Sequence, residues 1–138
     1  MLNQESQNSM SNKAIIQPAN LFKPTSPYSL AAHSNGFVFT AGMVSLDQSG
    51  KVVGGTAHEQ TINILSAISD ILEEAGTSMA SIVKTTIFLA DAEHFQGMNE
   101  AYQTFFSSDP PPRSTVIAKL LKPDWLVEIE AVAAVKSK

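Results

Sequence analysis

The residues best suited to chemistry lie near the carboxyl end of this 138-residue chain, where Arg113 directly follows the prolines 110–112. Prolines hold φ near the polyproline value and donate no backbone hydrogen bond, so this run stiffens the approach to the arginine. A guanidinium forms two parallel hydrogen bonds with a carboxylate, which fixes both charge and orientation. Arg113 is therefore a candidate ligand for a carboxylate. The alternatives are a surface arginine, or a structural salt bridge to Glu128 or Glu130.

Glu128 lies in a segment with strict alternation, because every odd-numbered position of residues 127–135 is valine, isoleucine or alanine. A period of two predicts a β-strand with one wholly apolar face. Glu128 and Glu130 then lie on the other face, together with Val132 and Ala134. Ordinary surface carboxylates would explain the two glutamates. Their apolar neighbours on the same face indicate instead that this side is not simply open to water.

Composition excludes several kinds of site. The net charge is −4 and no basic cluster appears, so nucleic acid is not an expected partner. The absence of cysteine rules out disulfides, thiolate catalysis and cysteine metal ligands. His33, His58 and His94 fall on different predicted elements without metal-ligand spacing, so no metal site is expected. The glycines form no phosphate-binding loop, and no serine lies in a Gly-x-Ser-x-Gly turn.

The length of the chain fits one small domain. Residues 1–12 are polar and without periodicity, which predicts a mobile tail before a domain at 13–138, and Met10 is an alternative start to Met1. The amino-terminal segment lacks the apolar core of a signal peptide, and no stretch is long enough to span a membrane. The expected location is therefore cytoplasmic.

Turn and helix signals indicate the elements that position these residues. A strand is predicted at 14–16, and Asn35-Gly36 predicts a hairpin between two further short strands. Thr56 and Glu59 form a capping box that starts a first helix with a regular apolar stripe.

Residues 82–89 are rich in β-branched side chains and predict a long buried strand. A second helix is predicted at about 93–106, with a core-facing stripe of Phe95, Met98, Tyr102 and Phe105. This order predicts an α+β domain in which two helices pack on one face of a mixed sheet. Such a unit leaves apolar surface uncovered, and oligomerisation is one way to bury it.

The window from Pro111 to Glu130 resembles the signature of the RidA (YjgF) family of enamine/imine deaminases. The shared pattern is Pro-Pro-Arg-Ser, a spaced apolar strand and an apolar-Glu-Ile ending. Further matches are Pro-Tyr-Ser at 27–29, the strand at 83–89 and the Asn-x-x-Tyr-x-x-Phe-Phe pattern at 99–106. The resemblance implies a chorismate-mutase-like fold, a compact homotrimer and sites between subunits.

The resemblance also implies an activity and roles for residues. Members hydrolyse enamines and imines, such as 2-aminoacrylate and 2-iminopropanoate, to 2-keto acids and ammonia without a metal or organic cofactor. Arg113 would bind the substrate carboxylate, and Glu128 would activate the attacking water and move its proton. The residues implied to line the pocket or hold water are Tyr28, Gly42, Asn99 and, through its backbone, Thr115.

Three positions depart from the family pattern. The family often has a serine where this chain has Ala41, a glutamine where it has Met43 and a cysteine where it has Thr115. The first removes a possible hydrogen bond, and the second is expected to make the rim of the pocket more apolar. The segment 121–128 also resembles the branch used in pyrimidine catabolism and aminomuconate-type deamination, so a larger enamine acid is an alternative substrate. A non-catalytic trimer that binds small carboxylates or regulates a partner enzyme is the competing interpretation.

Overall fold

Six strands and two helices make up the part of the chain that the computed structural model describes, residues 12–136. The strands are β1 (Ala14–Ile16), β2 (Ala31–Ser34), β3 (Phe37–Thr40), β4 (Ile82–Leu89), β5 (Arg113–Ile117) and β6 (Val127–Ala134). The helices are α1 (Ala57–Glu74) and α2 (Phe95–Phe105), and short 3₁₀ turns at Met79–Ser81 and Ala92–His94 precede β4 and α2. The predicted tail up to residue 11, with the alternative start at Met10, lies outside the described residues.

The strands form one sheet in the order β1-β2-β3-β6-β4-β5. All neighbouring pairs are antiparallel except β4 and β5, which run parallel, so the prediction of a mixed sheet is confirmed. The longest strands, β4 and β6, lie beside each other in the interior of the sheet. Arg113 begins the edge strand β5, while Glu128 lies on the interior strand β6.

The hairpin of β2 and β3 turns at Asn35 and Gly36, as the sequence predicts. Both residues have positive φ, 48° and 80°, and Ser34 pairs with Phe37 across the turn. Asparagine and glycine tolerate this left-handed conformation, whose twist matches that of the paired strands. The hairpin thereby sets the register of β2 against β3.

Helix α1 begins with the predicted capping box. The Glu59 backbone N–H donates to Thr56 Oγ1 over 3.1 Å, and Glu59 Oε1 accepts from the Gly55 N–H over 3.0 Å. Its fully buried stripe faces the sheet and consists of Ile64, Leu65, Ile68, Ile71 and Leu72. Each such side chain stabilises the fold by roughly 1.5–3 kcal/mol relative to an exposed one.

Both helices cover the same face of the sheet. The odd-numbered residues of β6 from Val127 to Ala133 are buried on this side, in agreement with the predicted apolar face. Helix α2 packs against α1 and reaches β4, where the Tyr102 and Thr85 hydroxyls lie 2.8 Å apart. No helix in residues 12–136 is long and apolar enough to cross a membrane.

The opposite side of the sheet, here called the outer face, is left uncovered by the helices. Cross-strand pairing places Ile15, Phe37, Phe39, Phe88, Val116 and Val132 on it. Ile15, Phe39 and Val116 remain 53%, 48% and 44% exposed. A contiguous apolar surface of this kind is typical of a protein–protein interface.

The prediction for the second helix is wrong in one respect. Met98 and Tyr102 are buried as expected, but Phe95 is 45% exposed. The Asp91 carboxylate accepts from the Glu93 N–H and caps the 3₁₀ turn before α2, so Phe95 is the first residue of the helix proper. At this end of the helix the ring lies beside Arg113 rather than in the core.

Candidate functional site

Glu128 is half-buried on the outer face of β6 and lines a cavity of about 580 Å³, here called the Glu128 cavity. Tyr28 and Gly42 line the same cavity. Burial raises the pKa of the Glu128 carboxyl above its ordinary value, and the negative charge of Glu130 raises this pKa further. A carboxyl group in this condition exchanges protons closer to neutral pH than an ordinary glutamate does.

Gly42 lies against the Glu128 carboxylate because the chain after β3 pairs with β6. The Met43 N–H donates to Ile129 O over 2.8 Å, and the Ile129 N–H donates back to Met43 O over 3.0 Å. A Cβ at Gly42 would lie 2.8 Å from Glu128 Cδ and closer still to Oε2. Glycine is therefore required at this position by space, since any side chain would displace the carboxylate.

Tyr28 contributes a half-exposed ring to the same cavity, with 49% of its surface accessible. Burial and the nearby charge of Glu128 both raise the pKa of the Tyr28 hydroxyl, so it remains protonated and able to donate. A short turn positions the residue, since its N–H donates to Ser26 O over 2.7 Å. Tyr28, Gly42 and Glu128 thus lie around one cavity.

Of the two departures beside this cavity, Met43 behaves differently from the expectation. Its side chain is only 8% exposed and belongs to the hydrophobic core, so it does not make the rim more apolar. The pairing with Ile129 explains this, because it directs the side chain of Met43 to the helix-covered face. Ala41 is partly exposed, and its N–H donates to Leu30 O over 2.7 Å.

Arg113 lies in different surroundings, beside α2 on the helix-covered side of the sheet. Its Nη2 donates to Asn99 Oδ1 over 2.6 Å, and its guanidinium carbon lies 4.8 Å from the centre of the Tyr102 ring and 5.8 Å from that of Phe95. The two rings attract the cation and restrict its orientation. Asn99, Tyr102 and Pro111 border a separate cavity of about 300 Å³ beside it, here called the Arg113 cavity.

Tyr102 is itself fixed, since its hydroxyl lies 2.8 Å from the buried Thr85 hydroxyl. Burial raises the pKa of Tyr102, while the Thr85 hydrogen bond and the charge of Arg113 oppose that rise. The contacts of Phe95 and Tyr102 with Arg113 were missed in the sequence, where both rings fit a core stripe. The spacing of Phe95, Asn99 and Tyr102 places all three on one helix face. This spacing could have indicated that they contact the same partner.

Arg113 and Glu128 lie on opposite faces of the sheet within one chain. Arg113 pairs with Thr85 of β4, whose side chain points to the helices. Glu128 pairs with Phe88 of the same strand. Thr85 and Phe88 are an odd number of positions apart, so their side chains, and those of their partners, point to opposite sides. The suggested salt bridge between Arg113 and Glu128 or Glu130 is therefore absent from this structure.

Thr115 belongs with the Arg113 half of the site. It pairs with Ile87 and lies two positions after Arg113 on the same side of the edge strand β5, half-buried. The structure thus divides the predicted site residues into two groups. One group is Tyr28, Gly42 and Glu128, and the other is Asn99, Arg113 and Thr115.

Several residues that line the Glu128 cavity were not predicted to do so: Phe22, Gly50, Leu121, Lys122 and Trp125. Phe22 packs closely on the turn at Gly50, where φ is +90° and an added Cβ would lie 2.8 Å from the ring. Lys122 Nζ lies 5.9 Å from the centre of the Trp125 ring. The loop before β6 therefore forms one side of this cavity.

Within residues 12–136 no group of three or more histidine, cysteine, aspartate or glutamate side chains is arranged to hold a metal ion. The chemistry that these two cavities offer is that of a guanidinium, a carboxyl group with a raised pKa, and a phenol.

Comparison with known sequences connects this geometry to a family. The family described as Endoribonuclease L-PSP, part of the YjgF/RidA superfamily, matches residues 18–135. The chain belongs to the RidA (YjgF) family. A RutC family protein of Pyrococcus abyssi is 39% identical over 122 residues, which span 88% of this chain and 96% of that protein.

Solved structures of RidA-family relatives have the same fold. A Rid-family protein of unknown function from Yersinia pestis superposes with a TM-score of 0.84 at 34% identity, covering 89% of this chain and 99% of the other. The E. coli protein TdcF, crystallised with bound serine, superposes with a TM-score of 0.82 at 30% identity over the same shares of the two chains. The prediction of family and fold is therefore confirmed.

Proposed function

We propose that this chain hydrolyses reactive enamines and imines of the 2-aminoacrylate and 2-iminopropanoate type to 2-keto acids and ammonia. The observation on which the proposal rests is the state of Glu128. Its carboxyl group lines the Glu128 cavity and has a raised pKa. No group among residues 12–136 donates a hydrogen bond to this carboxylate. The oxygens are free to bind and orient water. Membership of the RidA family supports the same reaction.

The reaction requires one proton carrier that works in both directions. Glu128 takes a proton from water as the oxygen bonds to the imine carbon, and returns it to nitrogen to give a carbinolamine. Glu128 then accepts the proton of the new hydroxyl and passes it to the amine, so that the C–N bond breaks and ammonia leaves. A carboxyl group with a raised pKa suits this alternation between base and acid.

Arg113 is the proposed partner of the substrate carboxylate, with Asn99 holding its guanidinium in position. One chain cannot place a three-carbon substrate between Arg113 and Glu128, because the two side chains lie on opposite faces of the sheet. We therefore propose that Arg113 of one copy meets Glu128 of the next in a homotrimer. The exposed apolar outer face supports such an assembly, and a head-to-tail contact between three copies closes a ring.

Mixed assemblies test this arrangement. Arg113→Ala and Glu128→Gln chains with different affinity tags are co-expressed, and the mixed trimers are purified through both tags. Each variant alone is expected to be inactive. If each site takes Arg113 from one copy and Glu128 from the next, every mixed trimer contains one site in which both residues are intact, so about one third of the wild-type activity is restored.

The control is co-expression of two differently tagged Glu128→Gln chains, which should stay inactive. Keto-acid and ammonia release is measured with the imine supplied by a serine/threonine dehydratase. Mixed trimers that remain inactive would place the site within one chain. A single variant with more than half of the wild-type activity would remove that residue from the mechanism.

The competing function is binding without turnover. The E. coli relative was crystallised with serine, an amino acid that offers a carboxylate. The same arginine would serve a trimer that binds small carboxylates or regulates a partner enzyme. This alternative would be favoured if the protein binds a 2-keto acid but leaves the rate of imine hydrolysis equal to the spontaneous rate.

The description of the family as an endoribonuclease raises RNA as a substrate. The chain has a net charge of −4, and the carboxylates of Glu128 and Glu130 repel phosphates at the site. Affinity for nucleic acid depends mainly on neutralising phosphates with lysine and arginine. The charge distribution therefore favours a small molecule.

A further inference from the structure

The Glu128 cavity of one chain lies on the outer face, which the second copy of the proposed trimer would cover. Its volume of about 580 Å³ falls in the usual range of roughly 300–1,000 Å³ for small-molecule sites. Because the second copy would occupy part of this space, the chemistry of the lining, rather than the volume, indicates which substrate side chain fits.

The space beyond Glu128 is bordered mainly by apolar side chains. The larger ones are Phe22, Val44, Leu46, Leu121 and Trp125. Leu121 is 89% exposed, so a ligand that covers it removes a large apolar surface from water. Removing such surface from water is favourable only if the ligand group is itself apolar. Among residues 12–136, Lys122 is the one cation lining this cavity, and it is exposed to solvent.

The side of the cavity formed by Trp125 is held in place by a buried amide. Gln60 of α1 is 1% exposed, and its Nε2 donates to Asp124 O over 2.9 Å and to Gly54 O over 3.0 Å. Its Oε1 accepts from the Leu126 N–H over 3.0 Å. The backbone on both sides of Trp125 is therefore fixed to the core, so the cavity is formed before a ligand arrives.

From these observations we infer that the Glu128 cavity selects imine and enamine acids with a branched aliphatic or aromatic side chain, and that Trp125 and Leu121 determine this preference. The inference rests on the proposed function, because it assigns the substrate class of the same site. The reacting carbon would lie at Glu128, and the apolar side chain would extend along Leu121 toward Trp125.

The test compares imines that share the reacting group and differ only in side chain. An amino-acid oxidase generates the imines of alanine, leucine and phenylalanine in the assay, and keto-acid formation is measured above the spontaneous rate. Filling or emptying an apolar pocket changes specificity by roughly 10–200-fold. We expect kcat/KM for the phenylalanine and leucine imines to exceed that for the alanine imine by at least tenfold.

Two variants probe the cavity in opposite ways. Trp125→Leu removes apolar surface from the lining of the cavity. Thr25→Trp adds a bulky ring to the lining at an exposed position. Both are expected to reduce the ratio of phenylalanine to alanine imine turnover by about tenfold. Lys23→Trp is the matched control, because it introduces the same side chain two positions away at an exposed residue outside this cavity. Its ratio should equal that of the wild type.

Binding separates this inference from the proposed function. The intact protein is titrated calorimetrically with phenylpyruvate and with pyruvate, and phenylpyruvate is expected to bind at least ten times more tightly. That preference without turnover of any imine would overturn the proposed function but uphold the assignment of the cavity. Turnover of the alanine imine with no preference for larger imines or keto acids would overturn this inference alone. A preference for the glutamate imine over the phenylalanine imine would also overturn it, in favour of a contact with Lys122.

Discussion

Arg113 is held on three sides, by the amide of Asn99 and the rings of Phe95 and Tyr102, whereas Glu128 accepts no hydrogen bond from residues 12–136. The difference fits two separate tasks. A group that orients a substrate carboxylate works best when its own geometry is fixed in advance. A group that moves protons works best when its oxygens are free to bind water and substrate. In the proposed mechanism, the two cavities therefore divide binding, at α2 and β5, from chemistry, at the interior strand β6.

The largest predicted effect is that of Arg113→Ala. Two charge-assisted hydrogen bonds to the substrate carboxylate are lost at roughly 1.5–3 kcal/mol each, so kcat/KM should fall by about two to four decades. Arg113→Lys should recover little, because an ammonium lacks the planar fork. Steady-state kinetics with the dehydratase-coupled assay measures this. Lys119→Ala, an exposed residue on the loop after β5, is the control and should keep its activity. More than half of the wild-type activity in Arg113→Ala would show that the arginine is peripheral.

Gly42→Ala should reduce turnover through Glu128 without affecting the binding of the substrate carboxylate by Arg113. The added methyl would lie 2.8 Å from Glu128 Cδ and must displace the carboxylate. A displacement of about 1 Å at a reacting group can reduce turnover by roughly 10²-fold. The affinity for an unreactive 2-keto acid, measured by calorimetry, should change much less, because Arg113 supplies that contact. Gly55→Ala is the matched control, since no atom lies within 4 Å of its added Cβ. Equal losses of turnover in the two variants would contradict the argument.

Asn99→Ala should weaken the fixed half without affecting proton transfer. Arg113 would keep its contacts with the two rings but lose the 2.6 Å hydrogen bond that sets its orientation. Loss of one charge-assisted hydrogen bond predicts a rise in KM of about tenfold with kcat nearly unchanged. Full substrate-saturation curves separate the two parameters. A fall in kcat at constant KM would instead place Asn99 in the chemical step.

The smallest effect concerns stability and pH. The pKa of Glu128 is raised above 4.5 in the folded chain, so the folded state holds the proton more tightly than the unfolded state does. The charged carboxylate therefore lowers stability above that pKa, and the loss disappears as the pH falls below 4.5. Glu128→Gln should unfold at a higher temperature than wild type at neutral pH, with a difference that shrinks on acidification. Melting curves at one fixed protein concentration test this. A difference that grows toward acid pH would contradict the assigned direction.

Local signals in the sequence predicted the fold well because they act over a few residues. The turn at Asn35-Gly36, the cap formed by Thr56 and Glu59, and the alternation along β6 all depend on short-range geometry. The grouping of Tyr28, Gly42 and Glu128 was predicted by resemblance to the RidA family. Spacing alone would not have joined residues so distant in the chain.

The separation of Arg113 from Glu128 was not foreseen, because it depends on sheet order. Strands β5 and β6 both pair with β4. Arg113 lies opposite an odd-numbered residue of β4 and Glu128 opposite an even-numbered one, so the two side chains point to opposite faces. No short-range pattern reports that parity. The same holds for Gln60, whose position on a buried helix face gives no sign that its amide binds the backbone of Gly54 and of the distant residues Asp124 and Leu126.

The contact between Phe22 and the turn at Gly50 has a consequence for how this site can change. The ring rests where a side chain at position 50 would be, so the width of the Glu128 cavity is set there by bare backbone. A single methyl group at that turn would displace the ring and change the shape of the cavity there, without contacting Glu128 or Arg113. Substrate range and reaction chemistry are thus separable by substitution, and one can drift over generations while the other is preserved.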